Sequence, residues 1–367
     1  MGELRPQQSE AAEKLYAYNT GILSATTAFG KTVVAAWLIG NKKVNTLIIV
    51  HRKQLMEQWK ERLQTFLDVD AKQMGQIGGG KRKRTGIVDI AIIQSINYKG
   101  KVKDYVEEYG MVIVDECHHI SSYSFEQVLK QVKAKYVYGL TATPIRKDGH
   151  HPIVMMQCGN IRHKVTAKSN MVLNCFEHIV VPRYHELNIK ENVESKPSIH
   201  SLYKGIIEDK KRNDMIVEDV LEALKQKRSP IILTERTAYV EYFERRLEGA
   251  VKNIIVLRGG LGKKKLKDIK DKMDQISEEE ERIIIATGKY VGEGFDDARL
   301  DTLFLTMPIS WKGTLQQYAG RLHRQYDSKE VVKIFDYVDK NIPMFMRMYE
   351  RRLKGYKSMG YDIKEEL

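Results

Sequence analysis

Three stretches of this chain carry residue types that could act on phosphate. In residues 25–32, ATTAFGKT, the triplet Gly30-Lys31-Thr32 stands between the short apolar run Gly21-Ile22-Leu23 and a run of helical character over 33–39. A tight loop opening a helix presents backbone N–H groups to an anion. Gly30 lets the backbone approach a phosphate closely. Lys31 would bridge the β- and γ-phosphates, and the Thr32 hydroxyl would ligate Mg²⁺. Thr27, Ala28 and Phe29 complete the loop, whose first position is Ala25 where glycine is usual, and whose Phe29 is bulky where a small residue is commoner. The second stretch is DECHH, 115–119, directly after the apolar run MVIV. Asp115 would hold the same Mg²⁺ and Glu116 would polarise an attacking water as general base. The third is QYAGRLHR, 317–324. Arg321 and Arg324, three apart, are expected on one helix face, suited to stabilising charge on a phosphoryl group in transfer.

Such groups need rigid elements behind them. The first half alternates β-rich apolar runs (22–24, 46–50, 89–93, 111–115, 136–140) with helical patterns (32–39, 54–66, 125–132). Near-continuous runs such as LIIV and MVIV suit strands buried on both faces, hence a parallel sheet. A second series follows, with helices over 212–226, 238–247 and 263–273 and strands over 230–234, 253–257, 282–287, 302–307 and 331–335. The fold class expected is α/β, two tandem domains, each a doubly wound mostly parallel sheet. The domains read as 1–168 and 201–342, joined by an interdomain connection over 169–200 and followed by a C-terminal helix over 343–367.

Composition narrows the partners. The chain has 367 residues, more than one ordinary core, and a formal net charge of +13. That excess suits a polyanion such as nucleic acid, or a chain that is merely basic. Three cysteines, Cys117, Cys158 and Cys175, make no disulfide framework. No apolar run is long enough to span a bilayer, and a cytoplasmic location is expected.

Taken in order, these stretches resemble a superfamily 2 DExH-box helicase or translocase, in the XPB-like and type III restriction-type (ResIII) branch. ATTAFGKT resembles motif I, DECH motif II, TATP (141–144) motif III and QYAGRLHR motif VI. LRPQQ (4–8) resembles the adenine-recognition element, with Arg5 and Gln8 at the base. VHRKQL (50–55) and IIQS (92–95) resemble motifs Ia and Ic, ILTERT (232–237) stands where motif IV belongs, and GEGFD (292–296) resembles motif V. The resemblance implies two RecA-like domains with an ATP cleft between them, and ATP and Mg²⁺ as cofactors. It implies nucleic-acid contacts from His51, Arg52, Gln94, Ser95, Thr234, Arg236 and Thr287, and a ribose near Gly294 and Asp296. It further implies that His118 couples to the second domain through Gln317. Arg146-Lys147-Asp148 occupies the place of a charged loop of XPB-like motors, usually Arg-Glu-Asp. The partner expected is DNA, single-stranded or duplex, with RNA open, together with a possible nuclease or other partner protein or fused domains.

Other stretches are weaker. The basic loops GGGKRKR (78–84) and GGLGKKK (259–265) suit sequence-independent phosphate contacts or are solvated surface loops. Cys158, His163, Cys175 and His178 have zinc-binding types at irregular spacing, which disfavours a site. Trp311 is a base-stacking candidate or a buried residue. Two other classes of function stay open: an adaptor whose ATP site is a structural clamp, and a P-loop enzyme acting on small molecules.

Overall fold

The computed structural model describes residues 3–26, 29–70, 72–118, 123–142, 151–165, 176–188, 198–288, 297–309, 312–324, 326 and 329–365. Contacts divide the chain into two units, Met1–Asn170 and Met171–Leu367.

The first unit is built on strands β1 Thr20–Ala25, β2 Thr46–Val50, β3 Met74–Gly78, β4 Lys81–Lys83, β5 Val88–Ile92, a two-stranded ribbon of β6 Asn97–Tyr98 and β7 Lys101–Val102, then β8 Met111–Asp115, β9 Tyr136–Thr141 and β10 Ile161–Val165. The eight-stranded sheet runs β10-β1-β9-β8-β2-β5-β3-β4. Every pairing in it except β3–β4 is parallel. The helices are α1 Pro6–Tyr16, α2 Lys31–Lys42, α3 Lys53–Phe66, α4 Ile93–Ile96, α5 Tyr123–Gln131 and α6 His151–Cys158. In β2, Ile48 and Val50 join the core with α1, α2 and α3, while Leu47 and Ile49 join a second core with α5. Alternation along one strand therefore feeds two layers of helix, as a sheet covered on both faces requires.

The second unit adds β11 Glu177–His185, β12 Pro230–Thr234, β13 Ile254–Leu257, β14 Ile283–Thr287, β15 Thr302–Leu305, β16 Val331–Asp339 and β17 Asp362–Ile363. Its sheet runs β13-β14-β12-β15-β16-β11-β17, all parallel. Helices Ile199–Glu208, Lys210–Lys225, Thr237–Leu247 and Pro343–Met359 pack residues such as Leu202, Val220, Phe243 and Phe345 into its core.

Two stretches differ from the sequence reading. The interval taken as a connection, 169–200, contains β11, nine residues paired along their length with β16. The run Ile179-Val180-Val181 is buried, and its short apolar core among polar neighbours hid it. The tail over 343–367 is part of the second unit. Phe345 lies in its core. Arg352 donates to both carboxylate oxygens of Asp336 at 2.8 Å, and β17 adds a strand beside β11. Among the described residues no helix is long and apolar enough to cross a membrane.

Candidate functional site

In the first unit the chemistry-bearing residues follow the carboxyl ends of adjacent parallel strands, where α/β sheets bind ligands. After β1 the chain turns at Gly30, which caps α2 with φ +90°. A Cβ there would stand 2.4 Å from Gln8 Nε2, so a side chain at this position is strained by the backbone and would displace the Gln8 amide. Gln8 is buried on α1 and ties the loop down. Its Nε2 donates to the Phe29 carbonyl at 2.8 Å, and its Oε1 accepts the Arg5 backbone N–H at 3.1 Å. The Phe29 side chain turns into the core, 3% exposed, among Leu23, Val34 and other buried residues. That accounts for its bulk: of the groups expected to bind cofactor here, the Phe29 ring serves packing instead. Lys31 Nζ donates to the Ala25 carbonyl at 3.0 Å, which holds the ammonium back across the loop.

Asp115 ends β8 and is 8% exposed. The Trp59 indole N–H donates to its Oδ2 at 2.7 Å, and the Glu116 backbone N–H to its Oδ1 at 3.0 Å. Burial, and after it the neighbouring Glu116 charge, push the Asp115 carboxyl above its ordinary range, while the Trp59 bond and the Lys31 charge oppose that. Glu116 sits at φ +47°, a left-handed backbone uncommon for a residue with a side chain and frequent at functional sites. His118 Nδ1 lies 3.3 Å from Glu116 Oε2 and 3.0 Å from Thr141 Oγ1. The first threonine of TATP and the DECH histidine are thus brought to the expected general base. Arg62 Nη1 donates to Thr32 Oγ1 at 3.2 Å.

A hard divalent cation fits these groups. Thr32 Oγ1 and the Asp115 carboxylate are oxygen ligands, and each accepts a hydrogen bond from a side chain of α3, Arg62 and Trp59 respectively. The two adjacent carboxylates repel each other in a buried place, which a cation would relieve. Among the described residues no three His, Cys, Asp or Glu form a metal cluster. Mg²⁺ held mainly through phosphates needs only one or two carboxylates.

Beside this pole the edge continues over β2, β5 and β3. His51 and Arg52 follow β2, with Arg52 the N-cap of α3. Gln94 and Ser95 lie on α4 after β5. Gly78, Gly79 and Gly80 follow β3 with φ of +123°, +62° and +90°. A Cβ on Gly78 would meet Ser95 Oγ at 2.7 Å, and one on Gly79 would meet Met56 and Lys53 of α3 at 2.9 and 3.0 Å. The structure therefore brings Lys53 of the Ia stretch and Ser95 of the Ic stretch to the GGGKRKR turn, whose Lys81-Arg82-Lys83 strand is exposed.

In the second unit Thr234 and Thr287 are register partners at the carboxyl ends of β12 and β14. Arg236 contacts His200 Nδ1 at 3.0 Å. The helix Lys312–Leu322 carries Gln317 and Arg321. It stops at Leu322, so Arg324 lies past its end and does not share a helical face with Arg321. Buried Lys329 explains the stop. Its ammonium donates to the Leu322 and Arg324 carbonyls at 2.9 and 2.8 Å and to Ala298 at 2.8 Å. A cation on terminal carbonyls ends a helix favourably. Thr27, Ala28, Arg146, Gly294, Asp296, Trp311 and Cys175 lie outside the described residues. Cys158 and His163 belong to the first unit and His178 to the second. Burial pushes the Cys158 thiol up to about 12, which is poor for a metal ligand.

Known proteins resemble this chain in sequence and in fold. The family described as "Type III restriction enzyme, res subunit" (ResIII) matches residues 1–146. The putative helicase 161L of Invertebrate iridescent virus 6 is 29% identical, over 99% of this chain and 83% of its own length. The DNA 3'-5' translocase XPB2 of Sulfurisphaera tokodaii is 35% identical over 44% of this chain and 36% of its own length. The ATP-dependent Type ISP restriction-modification enzyme LlaBIII superposes on 98% of this chain and 30% of its own, at TM-score 0.71 and 15% identity. A fragment of a putative HsdR subunit of a type I restriction enzyme from Vibrio vulnificus YJ016 covers 98% of this chain and 67% of its own, at TM-score 0.68 and 17% identity. Residues 1–146 thus match the ResIII family, and the whole chain is similar to helicases of the superfamily 2, ResIII/XPB-like type.

In this chain three side chains at the motif stretches carry no signal of their own in sequence. Trp59 and Arg62 reach Asp115 and Thr32 from α3 across 56 and 30 positions. Tyr318, beside Gln317, donates to Glu235 Oε1 at 2.9 Å. It does so over Gly288, where a Cβ would stand 1.9 Å from the Tyr318 hydroxyl. One tyrosine thus joins the motif IV and motif VI stretches, across Gly288 just past β14, within the second unit.

Proposed function

We propose that this chain hydrolyses ATP with Mg²⁺ and uses the cycle to move along DNA. The observation that carries the reading is the pairing, on one sheet edge, of a left-handed Gly30 opening α2 with the Asp115–Glu116 pair ending β8. Lys31 would leave the Ala25 carbonyl for the β- and γ-phosphates, exchanging a neutral acceptor for a charged one. Thr32 and Asp115 would hold Mg²⁺, which supplies neutralisation of phosphate charge. Glu116 would take the proton of the attacking water, with His118 fixing its carboxylate. Gln8 commits one N–H and one lone pair to the chain, and by valence keeps one of each for the edge of an adenine. Arg321 and Arg324 are the candidate arginines for transition-state charge, a role read from the motif alone.

Nucleic-acid contact is assigned to His51, Arg52, Gln94, Ser95 and the Lys81–Lys83 strand, with Thr234, Arg236 and Thr287 in the second unit. The name of XPB2 supports DNA and 3′-to-5′ polarity. A second reading, RNA as track, is favoured by the putative ATP-dependent RNA helicase L396 of Acanthamoeba polyphaga mimivirus, 26% identical over 99% of this chain. A strand-displacement assay with DNA and RNA substrates of both polarities tests the proposal. Displacement of DNA from a 3′ overhang is expected. Activity confined to RNA would move the assignment to the second reading.

A further inference from the structure

Helix α3 touches both residues assigned to the cation. Trp59 donates its indole N–H to Asp115 Oδ2 at 2.7 Å, and Arg62, one turn on, donates to Thr32 Oγ1 at 3.2 Å. Trp59 is 2% exposed, so its indole is fixed by packing as well as by the bond. A carboxylate turns broadly about its terminal torsion. Here one donor on each oxygen, Trp59 on Oδ2 and the Glu116 amide on Oδ1, fixes the plane. At its other end α3 begins with Arg52 as N-cap and Lys53 as first helical residue, and the Lys53 side chain lies beside Gly79 of the GGGKRKR turn. Lys53 and Trp59 are about 9 Å apart along one unbroken helix.

We propose that Trp59 and Arg62 are positioning residues for Mg²⁺, and that α3 makes the orientation of Asp115 and Thr32 respond to a nucleic-acid strand held at Arg52 and Lys53. The inference rests on the function proposed above. A strand phosphate drawing on the first turn of α3 shifts a rigid helix, and that shift reaches both ligands together. Stimulation by nucleic acid then acts on the cation affinity of the first unit.

The test uses the full chain and Trp59→Phe, which keeps an aromatic ring and removes the donor. A fluorescent ATP analogue is titrated with Mg²⁺, with and without a single-stranded oligonucleotide. Loss of a bond to a charged carboxylate corresponds to about a 10-fold or greater effect. The Mg²⁺ half-point should therefore rise about 10-fold in the variant, with nucleotide affinity in EDTA unchanged. The oligonucleotide should lower the wild-type half-point and leave that of the variant unmoved. Arg62→Met should also lose the oligonucleotide response. A second measurement needs no change at the site. With Trp37 and Trp311 replaced by Phe, Trp59 emission should shift on adding Mg²⁺ with nucleotide and on adding oligonucleotide alone. An unchanged half-point in Trp59→Phe, equal losses with and without Mg²⁺, or a silent Trp59 emission overturns the proposal while leaving the functional reading intact. A wild-type chain that binds no nucleotide sinks that reading and this proposal with it.

Discussion

Replacing Gly30 by Ala separates two constraints that the structure places on one atom. The residue stands at φ +90°, where a side chain costs roughly 1–2 kcal/mol. The new methyl would also lie 2.4 Å from Gln8 Nε2. Gln8 must then give up its bonds to the Phe29 carbonyl and the Arg5 amide, each worth about 1 kcal/mol. The sum is a loss of about 3–4 kcal/mol in the first unit. Gln8→Ala alone forfeits the two bonds, about 2 kcal/mol. If both mechanisms hold, the double variant loses about 3–4 kcal/mol, against about 5–6 for simple addition, a coupling of about 2 kcal/mol. Urea unfolding of full-length chains carrying Trp311→Phe, followed by Trp37 and Trp59 fluorescence, reads this unit. Binding of a fluorescent ATP analogue reads the loop. Additive losses would refute the steric role of Gln8. A Gly30→Ala variant as stable and as tight-binding as wild type would refute the left-handed loop itself.

Three further perturbations have outcomes set by named contacts. Glu116→Gln should keep nucleotide binding and lose about 10²–10⁴-fold in hydrolysis, measured by single turnover; near-normal turnover would remove Glu116 from the base role. Arg352→Met should cost about 3–5 kcal/mol in urea unfolding, because it strands the buried Asp336 carboxylate, and Asp336→Leu in that background should recover most of it. His178 and His323 pack ring against ring at 4.8 Å, and burial brings them down to about 4 and about 3. Both folded values are depressed, so their contribution is whole above the unfolded value near 6.5 and is lost as pH falls below it. At pH 5 unfolding takes up nearly two protons at this pair, a slope of about 2.5 kcal/mol per pH unit. His178→Phe should roughly halve that slope, and an unchanged acid limb would contradict it.

The strands that carry chemistry were legible because each ends in residues of unusual type. MVIV runs into Asp115-Glu116 and LIIV into His51-Arg52, and both are buried parallel strands whose run of apolar residues marks them. β11 was not legible: Ile179-Val180-Val181 is a run of only three apolar residues between His178 and Pro182 and gains its partners, β16 and β17, only in the folded sheet. The same holds for the site. Gly30, Lys31, Thr32 and Asp115 announce themselves by local pattern. Trp59, Arg62 and Tyr318 matter through contacts across tens of residues, and such pairing leaves no mark in a single sequence. Phe29 looked obstructive beside the loop because its direction was unknown. Turned inward, it anchors the loop from below. Arg324 was misplaced on a helical face because the carbonyl contacts of Lys329, which end that helix, come from beyond the motif.

The central claim is that this chain couples ATP hydrolysis to a nucleic-acid track. Its most direct test is steady-state ATPase activity of the purified chain with Mg²⁺, alone and with single-stranded DNA, duplex DNA and RNA, at two salt concentrations. Stimulation by DNA is expected, weakening steeply with salt as phosphate contacts require, and absent from Glu116→Gln. Hydrolysis indifferent to every nucleic acid, or no hydrolysis under any of them, would contradict it.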